Sequence, residues 1–308
     1  MRAVRVVVTG GAGFIGSHVV DALVVRGDEV VVVDSLVTGK RENVPAGAEL
    51  HVRDIREPLD ELFEEVRPEA VFHLAAQADL RVAVERPVED ADVNVLGTVR
   101  VLEAARRYST QVVFSSTGGA IYGECGAGPA VENAPLSPIS PYGAAKLAAE
   151  EYLRMFNRLY GSTHVALRYG NVYGPRQDPH GEAGVVAIFL GALAAGEQPR
   201  IFGDGHQTRD YVYVGDVARA TVAALGQDGG VFNIGTGRET SVLELYELCR
   251  RVTGSTLAAI EAPPRLGELQ RSALDPELAA TELGFTAMVE LEDGLRATWD
   301  WLADPRQG

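Results

Sequence analysis

The sequence predicts an α/β fold, in which a doubly wound parallel sheet is joined to a smaller, mainly helical C-terminal region. Three observations predict it. Short β-branched apolar runs alternate with helical patterns over the first 170 residues. A glycine-rich turn separates the first run from the first helix, and helical patterns dominate after residue 236. Strands that alternate with helices are typical of a parallel sheet, because the chain must cross over between parallel strands.

The predicted strands are mainly apolar runs, as expected for strands buried on both faces of a sheet. In chain order they cover residues 4–8, 29–33, 50–53, 70–74, 111–115, 164–168 and 231–234. The main predicted helices cover residues 14–25, 59–66, 92–107, 143–160, 185–195 and 217–225. We expect residues 1–170 to form one domain, to which residues 205–235 return, and residues 171–204 and 236–308 to form the second region.

The composition excludes several classes of partner. The 308-residue chain carries a formal net charge of −15, which argues against binding to nucleic acid or to an anionic membrane. No apolar run reaches the length of a membrane span. Neither the two cysteines, Cys125 and Cys249, nor the six histidines have metal-ligand spacing, so we expect no metal site and a cytoplasmic location.

The turn after the first predicted strand contains Gly10, Gly13 and Gly16, and it opens directly into a helix. This order is the context of a dinucleotide-binding fingerprint, because glycines let the backbone N–H groups of a helix N-terminus approach a pyrophosphate. Asp34 ends the second strand and supplies a carboxylate for a ribose 2′-hydroxyl. Since a carboxylate would repel a 2′-phosphate, the sequence predicts a Rossmann-type domain that binds NAD rather than NADP.

Tyr142 and Lys146 lie four residues apart, where a helix is predicted to start. This spacing brings the two side chains to one face of a helix, about one turn apart. A phenol normally keeps its proton up to a pH of about 10, and a fixed positive charge beside it favours the ionised form. The pair therefore predicts a general base that works near neutral pH.

Six segments together resemble the extended short-chain dehydrogenase/reductase superfamily, and more specifically its bacterial UDP-glucose (UDP-galactose) 4-epimerases. The segments are VTGGAGFIGSH (8–18), HLAAQ (73–77), FSSTGGAIYG (114–123), SPYG (140–143), NVYGPRQDP (171–179) and TRDYV (208–212). The resemblance extends over essentially the whole chain, so it bears on both regions of the predicted fold.

The resemblance implies roles for particular residues. Tyr142 would be the catalytic base, Lys146 its partner, and Thr117 the hydroxyl that bridges substrate and Tyr142, with Ser116 left open as the alternative bridge. The other cofactor-binding residues that it implies are Gly10, Gly13, Phe14, Ile15, Gly16, Asp34, Ser35, Gly39, Lys40, Asp54, Ile55, Leu74, Ala75, Ala76, Gln77, Asn94, Ser115 and Tyr169. The other substrate-binding residues that it implies are Asn171, Val185, Val186, Arg209, Arg265, Glu268 and Ser272.

The resemblance also implies the reaction, which is reversible C4 epimerisation of a UDP-hexose by an enzyme that keeps NAD bound and regenerates it in each cycle. Arg209 and Arg265 would pair with the two phosphates of the substrate, where a guanidinium fork fits. Ser272 stands where family members control access of 2-N-acetyl sugars. Because a serine leaves room there, we expect UDP-GlcNAc and UDP-GalNAc to be accepted beside UDP-glucose and UDP-galactose.

Other fates of a 4-keto sugar need further groups. Related 4,6-dehydratases carry an Asp-Glu pair directly after the threonine, and this chain has Gly118 and Gly119 there, which excludes dehydration. A UDP-glucuronate 4-epimerase or decarboxylase needs a carboxylate anchor, for which Arg81 or Arg176 can be considered. A non-catalytic NAD-binding sensor is a further alternative. The resemblance implies a homodimer formed through helices near 92–107 and 143–160.

Overall fold

The computed structural model describes residues 3–124, 126, 128–179, 184–264 and 268–304. The strands are β1 (Arg5–Thr9), β2 (Glu29–Asp34), β3 (Ala48–Val52), β4 (Ala70–His73), β5 (Gln111–Thr117), β6 (Val165–Tyr169), β7 (Asn171–Tyr173), β8 (Arg200–Phe202), β9 (Thr208–Arg209), β10 (Tyr211–Tyr213), β11 (Gly230–Ile234), β12 (Thr240–Ser241), β13 (Ile260–Ala262) and β14 (Arg271–Ser272). The helices are α1 (Phe14–Arg26), α2 (Asp60–Val66), α3 (Leu80–Glu85), α4 (Pro87–Ala91), α5 (Thr98–Arg107), α6 (Gly118–Ile121), α7 (Pro141–Tyr160), α8 (Val185–Ala194), α9 (Val214–Ala223), α10 (Val242–Thr253), α11 (Glu277–Leu283) and α12 (Leu291–Leu302).

Seven strands form one parallel sheet in the order β11-β6-β5-β4-β1-β2-β3. All seven strands predicted from the sequence belong to this sheet, which confirms the predicted α/β class. The chain runs from β1 to β3 in one direction and then crosses to the other side of β1. Between β1 and β4 the order therefore reverses, and in open parallel sheets the carboxyl ends at such a point form the ligand crevice.

The sheet is covered on both faces, which explains why apolar residues dominate its strands. Val6 and Val8 of β1 pack in one buried cluster with residues of α1 and α9. Val7, between them, packs on the opposite face with residues of α2, α5 and α7. Because successive side chains of a strand point to opposite faces, a strand buried on both faces is apolar at most positions.

A separate buried cluster joins α8, α10 and α12 outside the main sheet. Its members include Phe189 and Leu190 of α8, Leu245 of α10 and Leu295 of α12, all fully buried. Short strands connect the neighbouring segments, in the orders β12-β9-β14 and β13-β8. The predicted helical character of the C-terminal part is confirmed by α10, α11 and α12. In the described ranges, no helix is both long and apolar enough to cross a membrane.

Two features differ from the prediction. The helix predicted over residues 92–107 begins with a π-helical turn, Asp92–Gly97, before α5. The sequence patterns also do not predict α3 and α4, because helices of six and five residues are too short to show an apolar period. Local signals are nevertheless present: the Asp79 carboxylate caps α3, and Pro87 occupies the first turn of α4.

Candidate active site

The glycine turn lies against the carboxyl end of β4. Gly10 has a φ of +70°, and a Cβ there would lie 2.5 Å from the Ala75 backbone nitrogen. A Cβ at Gly16 would collide with the Gly10 carbonyl oxygen, so both positions need glycine. The turn then opens into α1, where Phe14 and Ile15 form the first turn. This is the predicted arrangement of a pyrophosphate-binding loop between β1 and β4.

Asp34 braces this turn from the end of β2. Its Oδ2 accepts a hydrogen bond from the Ala12 backbone nitrogen at 2.9 Å, and its Oδ1 accepts one from the Leu36 nitrogen at 2.8 Å. A Cβ at Gly39 would lie 2.6 Å from the Asp34 carboxylate, so glycine leaves room for this side chain. Ser35 and Lys40, both predicted at the adenosine side, are exposed next to it.

The loop formed by residues 74–77 follows β4 and faces Gly10. Asn94 holds its far end, because the Asn94 amide donates to the Gln77 carbonyl at 2.8 Å and accepts from the Gln77 nitrogen at 3.0 Å. Asn94 also donates to Asp90 at 2.9 Å and is buried. The amide donors of Asn94 are thus engaged with the protein, and its role is to support the loop rather than to donate to a ligand.

Three residues that are predicted to contact the cofactor have side chains that interact with other parts of the protein. The Ile55 side chain lies in the hydrophobic core, and the Tyr169 hydroxyl is hydrogen bonded to Thr221 at 2.8 Å in the core. Burial raises the pKa of Tyr169 above its usual value. The hydrogen bond with Arg56 lowers the pKa of the Asp54 carboxyl. Ile55 and Tyr169 can therefore reach a cofactor only through their backbone groups.

The predicted catalytic pair lies at the start of α7. Ser140 caps this helix, its Oγ accepting from the Gly143 nitrogen at 3.1 Å. Lys146 is 1% exposed, and its Nζ donates to the Ser115 carbonyl at 2.8 Å. The same Nζ lies 5.8 Å from the centre of the half-buried Tyr142 ring. A fixed ammonium therefore sits beneath the phenol, as the four-residue spacing predicts.

The structure separates the two candidate bridging hydroxyls. Ser116 is 3% exposed, and its Oγ donates to Glu150 Oε1 at 2.5 Å in the interior. A serine hydroxyl has one proton, which this bond uses. Thr117, the next residue of β5, points to the opposite face of the strand and is half-buried. Thr117 is therefore the hydroxyl that remains for a substrate.

The residues after Thr117 provide no acid or base. A Cβ at Gly118 would collide with the buried side chain of Leu274, which occupies this space. A Cβ at Gly119 would lie 3.5 Å from the Asn171 amide oxygen, so Asn171, a predicted substrate contact, faces this point. The two positions that carry the Asp-Glu pair in related dehydratases thus border a leucine and an amide here, and neither of these is an acid or a base.

The predicted phosphate and sugar contacts meet in the C-terminal part. Arg209 of β9 lies 3.7 Å from the Glu268 carboxylate and donates to the Thr208 carbonyl at 2.7 Å. Ser272 pairs with Arg209 across β14 and β9 and is 3% exposed. Val185 and Val186 are the first residues of α8, and the Val186 side chain is buried in the cluster that joins α8, α10 and α12. Arg265 lies outside the described residues.

Three further predictions concern reactive or charged side chains. Arg81 is paired with Asp79 at 2.9 Å, and Arg176 with Asp21 of α1 at 2.7 Å, so each guanidinium already has a carboxylate partner in the chain. Burial raises the pKa of the Cys249 thiol to about 12, which makes it inert. Cys125 lies outside the described residues.

Comparison with known proteins decides the family. A model of the "NAD dependent epimerase/dehydratase family" matches residues 6–235. The chain belongs to this family. Dependence on NAD and the resemblance found in the sequence are thereby confirmed.

Individual relatives cover the chain from end to end. The UDP-glucose 4-epimerase of Mycolicibacterium smegmatis is 46% identical, over 98% of this chain and 100% of its own length. A UDP-glucose 4-epimerase of Thermotoga maritima, crystallised with UDP-glucose, has a TM-score of 0.95 at 48% identity, over 96% of this chain and 98% of that one. The Thermus thermophilus UDP-glucose 4-epimerase in complex with NAD has a TM-score of 0.94 at 48% identity, over 98% and 99%.

The sequence analysis does not predict one part of the candidate site, which is the polar network beneath α7. Glu150 is fully buried and binds Arg168 of β6 through two hydrogen bonds of 2.9 and 2.7 Å. Arg168 also donates to the Tyr122 hydroxyl at 2.7 Å. A signal was available in the sequence, because Glu150 lies four residues after Lys146 and therefore on the face of α7 that carries the catalytic pair.

Proposed function

We propose that this protein catalyses the NAD-dependent, reversible C4 epimerisation of a UDP-hexose through a 4-keto intermediate. The observation that carries the proposal is the set Thr117, Tyr142 and Lys146, in which Thr117 ends β5 at the carboxyl edge of the sheet and Lys146 is bonded to the nearby Ser115. The names of its relatives support it, because those in M. smegmatis, T. maritima and T. thermophilus are UDP-glucose 4-epimerases.

In the proposed mechanism, Tyr142 as phenolate takes the proton of the sugar 4-hydroxyl. Bound NAD supplies the acceptor for the hydride that leaves C4. Lys146, fixed by the Ser115 carbonyl, keeps a positive charge beside Tyr142 throughout, and Thr117 orients the 4-oxygen. The keto-sugar then rotates so that its opposite face meets the cofactor. Tyr142 returns its proton to the 4-oxygen, and the hydride is returned to the opposite face of C4. Protons and electrons therefore balance, with no net oxidation.

A turning sugar requires that the nucleotide is held firmly and the hexose loosely. We propose that residues 171–204 and 236–308 form this nucleotide-sugar-binding region, with Asn171, Arg209 and Arg265 on the diphosphate. In support, Glu268 lies 3.7 Å from Arg209, and Ser272 is paired with Arg209 across β14 and β9. Glu268 also lines a neighbouring cleft of about 1040 Å³, whose described lining includes neither Asn171 nor Arg209.

The other reactions receive less support. UDP-glucuronate chemistry needs a free carboxylate anchor, and both Arg81 and Arg176 pair with carboxylates of the chain itself. A non-catalytic NAD sensor would have no use for a buried lysine held beneath a tyrosine. Epimerisation needs no group beyond those described, and this is the reason to prefer it.

The direct test is incubation of the purified protein with UDP-galactose, UDP-GlcNAc or UDP-glucuronate, with no NAD added and with products identified by NMR. We expect UDP-glucose from the first and UDP-GalNAc from the second. Turnover without added cofactor is expected because NAD stays bound during the cycle. Carbon dioxide and a UDP-pentose from UDP-glucuronate, with UDP-galactose unchanged, would instead identify a decarboxylase.

The sugar range is tested at Ser272. We expect Ser272→Tyr to lower turnover of UDP-GlcNAc relative to UDP-galactose by about tenfold or more, since filling a pocket discriminates on this scale. The physical reason is that a phenol ring takes the space of the N-acetyl group. Ser272→Ala, which leaves the space open, is the matched control. An unchanged ratio of the two turnover rates in Ser272→Tyr would show that this position is not the gate.

We also propose a homodimer formed through the helical segments 92–107 and 143–160. In support, Leu96, Tyr152 and Leu159 on these segments are 49%, 38% and 62% exposed, although each is large and apolar. Such side chains clustered on helices favour an interface. Light scattering after size exclusion measures the mass directly. A cytoplasmic location, favoured by the low cysteine content, stays a prediction.

A further inference from the structure

His73 ends β4 directly before the residue 74–77 loop and is fully buried. On one side, its Nδ1 lies 2.7 Å from the Thr9 hydroxyl oxygen of β1. On the other side, its Nε2 lies 3.0 Å from the Thr98 hydroxyl oxygen at the start of α5. Nothing in the proposed reaction uses this imidazole. Thr9 is nevertheless the residue directly before Gly10, so His73 touches both sides of the crevice between β1 and β4.

The direction of each hydrogen bond in this chain follows from proton counting. The Thr98 hydroxyl donates to the Asn94 carbonyl at 2.7 Å, so its oxygen can only accept from His73. His73 Nε2 therefore carries the proton and Nδ1 does not. The Thr9 hydroxyl must then donate to Nδ1, which leaves its oxygen free to accept from the Ala75 nitrogen at 3.3 Å. His73 thus fixes the Thr9 hydroxyl in an orientation in which its oxygen faces the backbone of the loop.

The imidazole stays neutral in the working range of an enzyme. Burial, and then the charge of Lys146, lower the pKa of His73 to about 3. A neutral imidazole with one fixed tautomer is a geometric element and not an acid or base.

Both ends of the loop are held from the same helical turn. The π-helical turn Asp92–Gly97 offers the Asn94 carbonyl to Thr98, and through it to His73 at the start of the loop. The Asn94 side-chain amide binds Gln77 at the end of the loop. A π-helical turn is rare and is frequently found at functional sites. We call Thr9, His73, Thr98 and Asn94 the loop bracket.

We propose that His73 is a positioning residue, which with the rest of the loop bracket fixes residues 74–77 against Gly10 and so keeps NAD bound during turnover. The inference rests on the proposed placement of NAD along the glycine turn. The gap between Gly10 and Ala75 is narrow enough to exclude a Cβ, so a small displacement of the loop changes the surface that meets the middle of the dinucleotide.

Two substitutions of His73 separate the contacts. The amide of Asn reaches the position of Nδ1, so His73→Asn keeps an acceptor for Thr9 and loses Thr98. The amide of Gln reaches the position of Nε2, so His73→Gln keeps Thr98 and leaves the Thr9 hydroxyl unoriented. The readout is NAD per protomer, released by acid after desalting, together with kcat measured with and without added NAD.

We expect His73→Gln to release NAD, with a dissociation constant higher by about tenfold, the scale of one lost buried hydrogen bond, and with kcat restored by added NAD. His73→Asn is expected to keep its NAD. Thr9→Val, which removes the hydroxyl at constant shape, should behave as His73→Gln does, and Thr9→Ser should restore retention. The Thr9 pair keeps the test valid if a His73 variant does not fold.

A merely structural role would lower the melting temperature of His73→Gln and Thr9→Val while leaving NAD content at that of the parent protein, and this result overturns the inference. Gly10→Ala tests the placement of NAD itself, since its Cβ would press on Ala75. If Gly10→Ala retains NAD, both the proposed placement of NAD and the proposed role of the loop bracket are wrong. If it loses NAD while His73→Gln and Thr9→Val retain it, only the role of the loop bracket is wrong.

Discussion

Replacing Tyr142 by Phe is expected to lower kcat for UDP-galactose by about 10³-fold, within the range that a positioned general base contributes. The substitution removes one oxygen atom and leaves the ring. The Lys146 ammonium keeps its hydrogen bond to the Ser115 carbonyl, so the helix start and the lysine should stay in place. Because the proton of the 4-hydroxyl then has no acceptor, hydride cannot leave C4 at a useful rate.

The measurement combines the epimerase assay with NAD content and circular dichroism, so that loss of chemistry is distinguished from loss of cofactor or fold. Tyr108→Phe is the matched control, since Tyr108 is half-buried like Tyr142 and lies outside both helical segments of the proposed dimer interface. We expect it to stay within about twofold of the parent, as surface substitutions away from a site have small effects. If Tyr142→Phe epimerises at the parent rate, Tyr142 is not the base and the proposed function has to be revised.

The sheet could be predicted from the sequence because its signals are local. Each strand is a mainly apolar run, and the burial of Val6, Val7 and Val8 on alternate faces explains why three apolar residues follow one another in β1. The glycine turn and Asp34 were predictable for the same reason, since they follow their strands directly. The spacing of Tyr142 and Lys146 is likewise fixed by one helix.

The remainder depends on contacts that sequence spacing does not encode. Ser116 and Thr117 are equivalent by sequence, and only the partnership of Ser116 with Glu150, 34 residues away, separates them. The side chains of Ile55 and Tyr169 turn into the core, although the resemblance implies that both contact the cofactor. Strands β9, β12 and β14 have two residues each, too few to show a period, yet they bring Ser272 beside Arg209.

The second large effect is expected on stability, from Arg168→Leu. Arg168 and Glu150 are 2% and 0% exposed at their side chains and share two hydrogen bonds. Burial alone disfavours the charged guanidinium, but the hydrogen bonds and charge of Glu150 raise the pKa of Arg168 above its usual value. Removing the arginine leaves the buried Glu150 carboxylate with Ser116 and with a longer contact to Arg154 at 3.6 Å. We expect a loss of about 3–5 kcal/mol in the free energy of unfolding.

The control is Arg238→Leu, which breaks an ion pair of similar length, 2.7 Å, whose side chains are 72% and 66% exposed. Such a pair contributes about 0–1 kcal/mol. Urea unfolding of all variants should be measured at one saturating NAD concentration, because a ligand that binds only the native state adds to the apparent stability.

The double variant Arg168→Leu/Glu150→Leu distinguishes the value of the pair from the cost of breaking it. Replacing both charges removes the unpaired carboxylate, so we expect the double variant to be more stable than Arg168→Leu alone, as for other buried ion pairs replaced by apolar residues. The activity of the double variant tests whether the buried pair also serves catalysis. Glu150 lies one turn beyond Lys146 and binds the neighbour of Thr117, so the pair fixes α7 against β5. A double variant that is stable but has a lowered kcat would show that the fixed position of α7 against β5 serves catalysis. If Arg168→Leu loses no more stability than Arg238→Leu, the buried pair does not hold the helix in place.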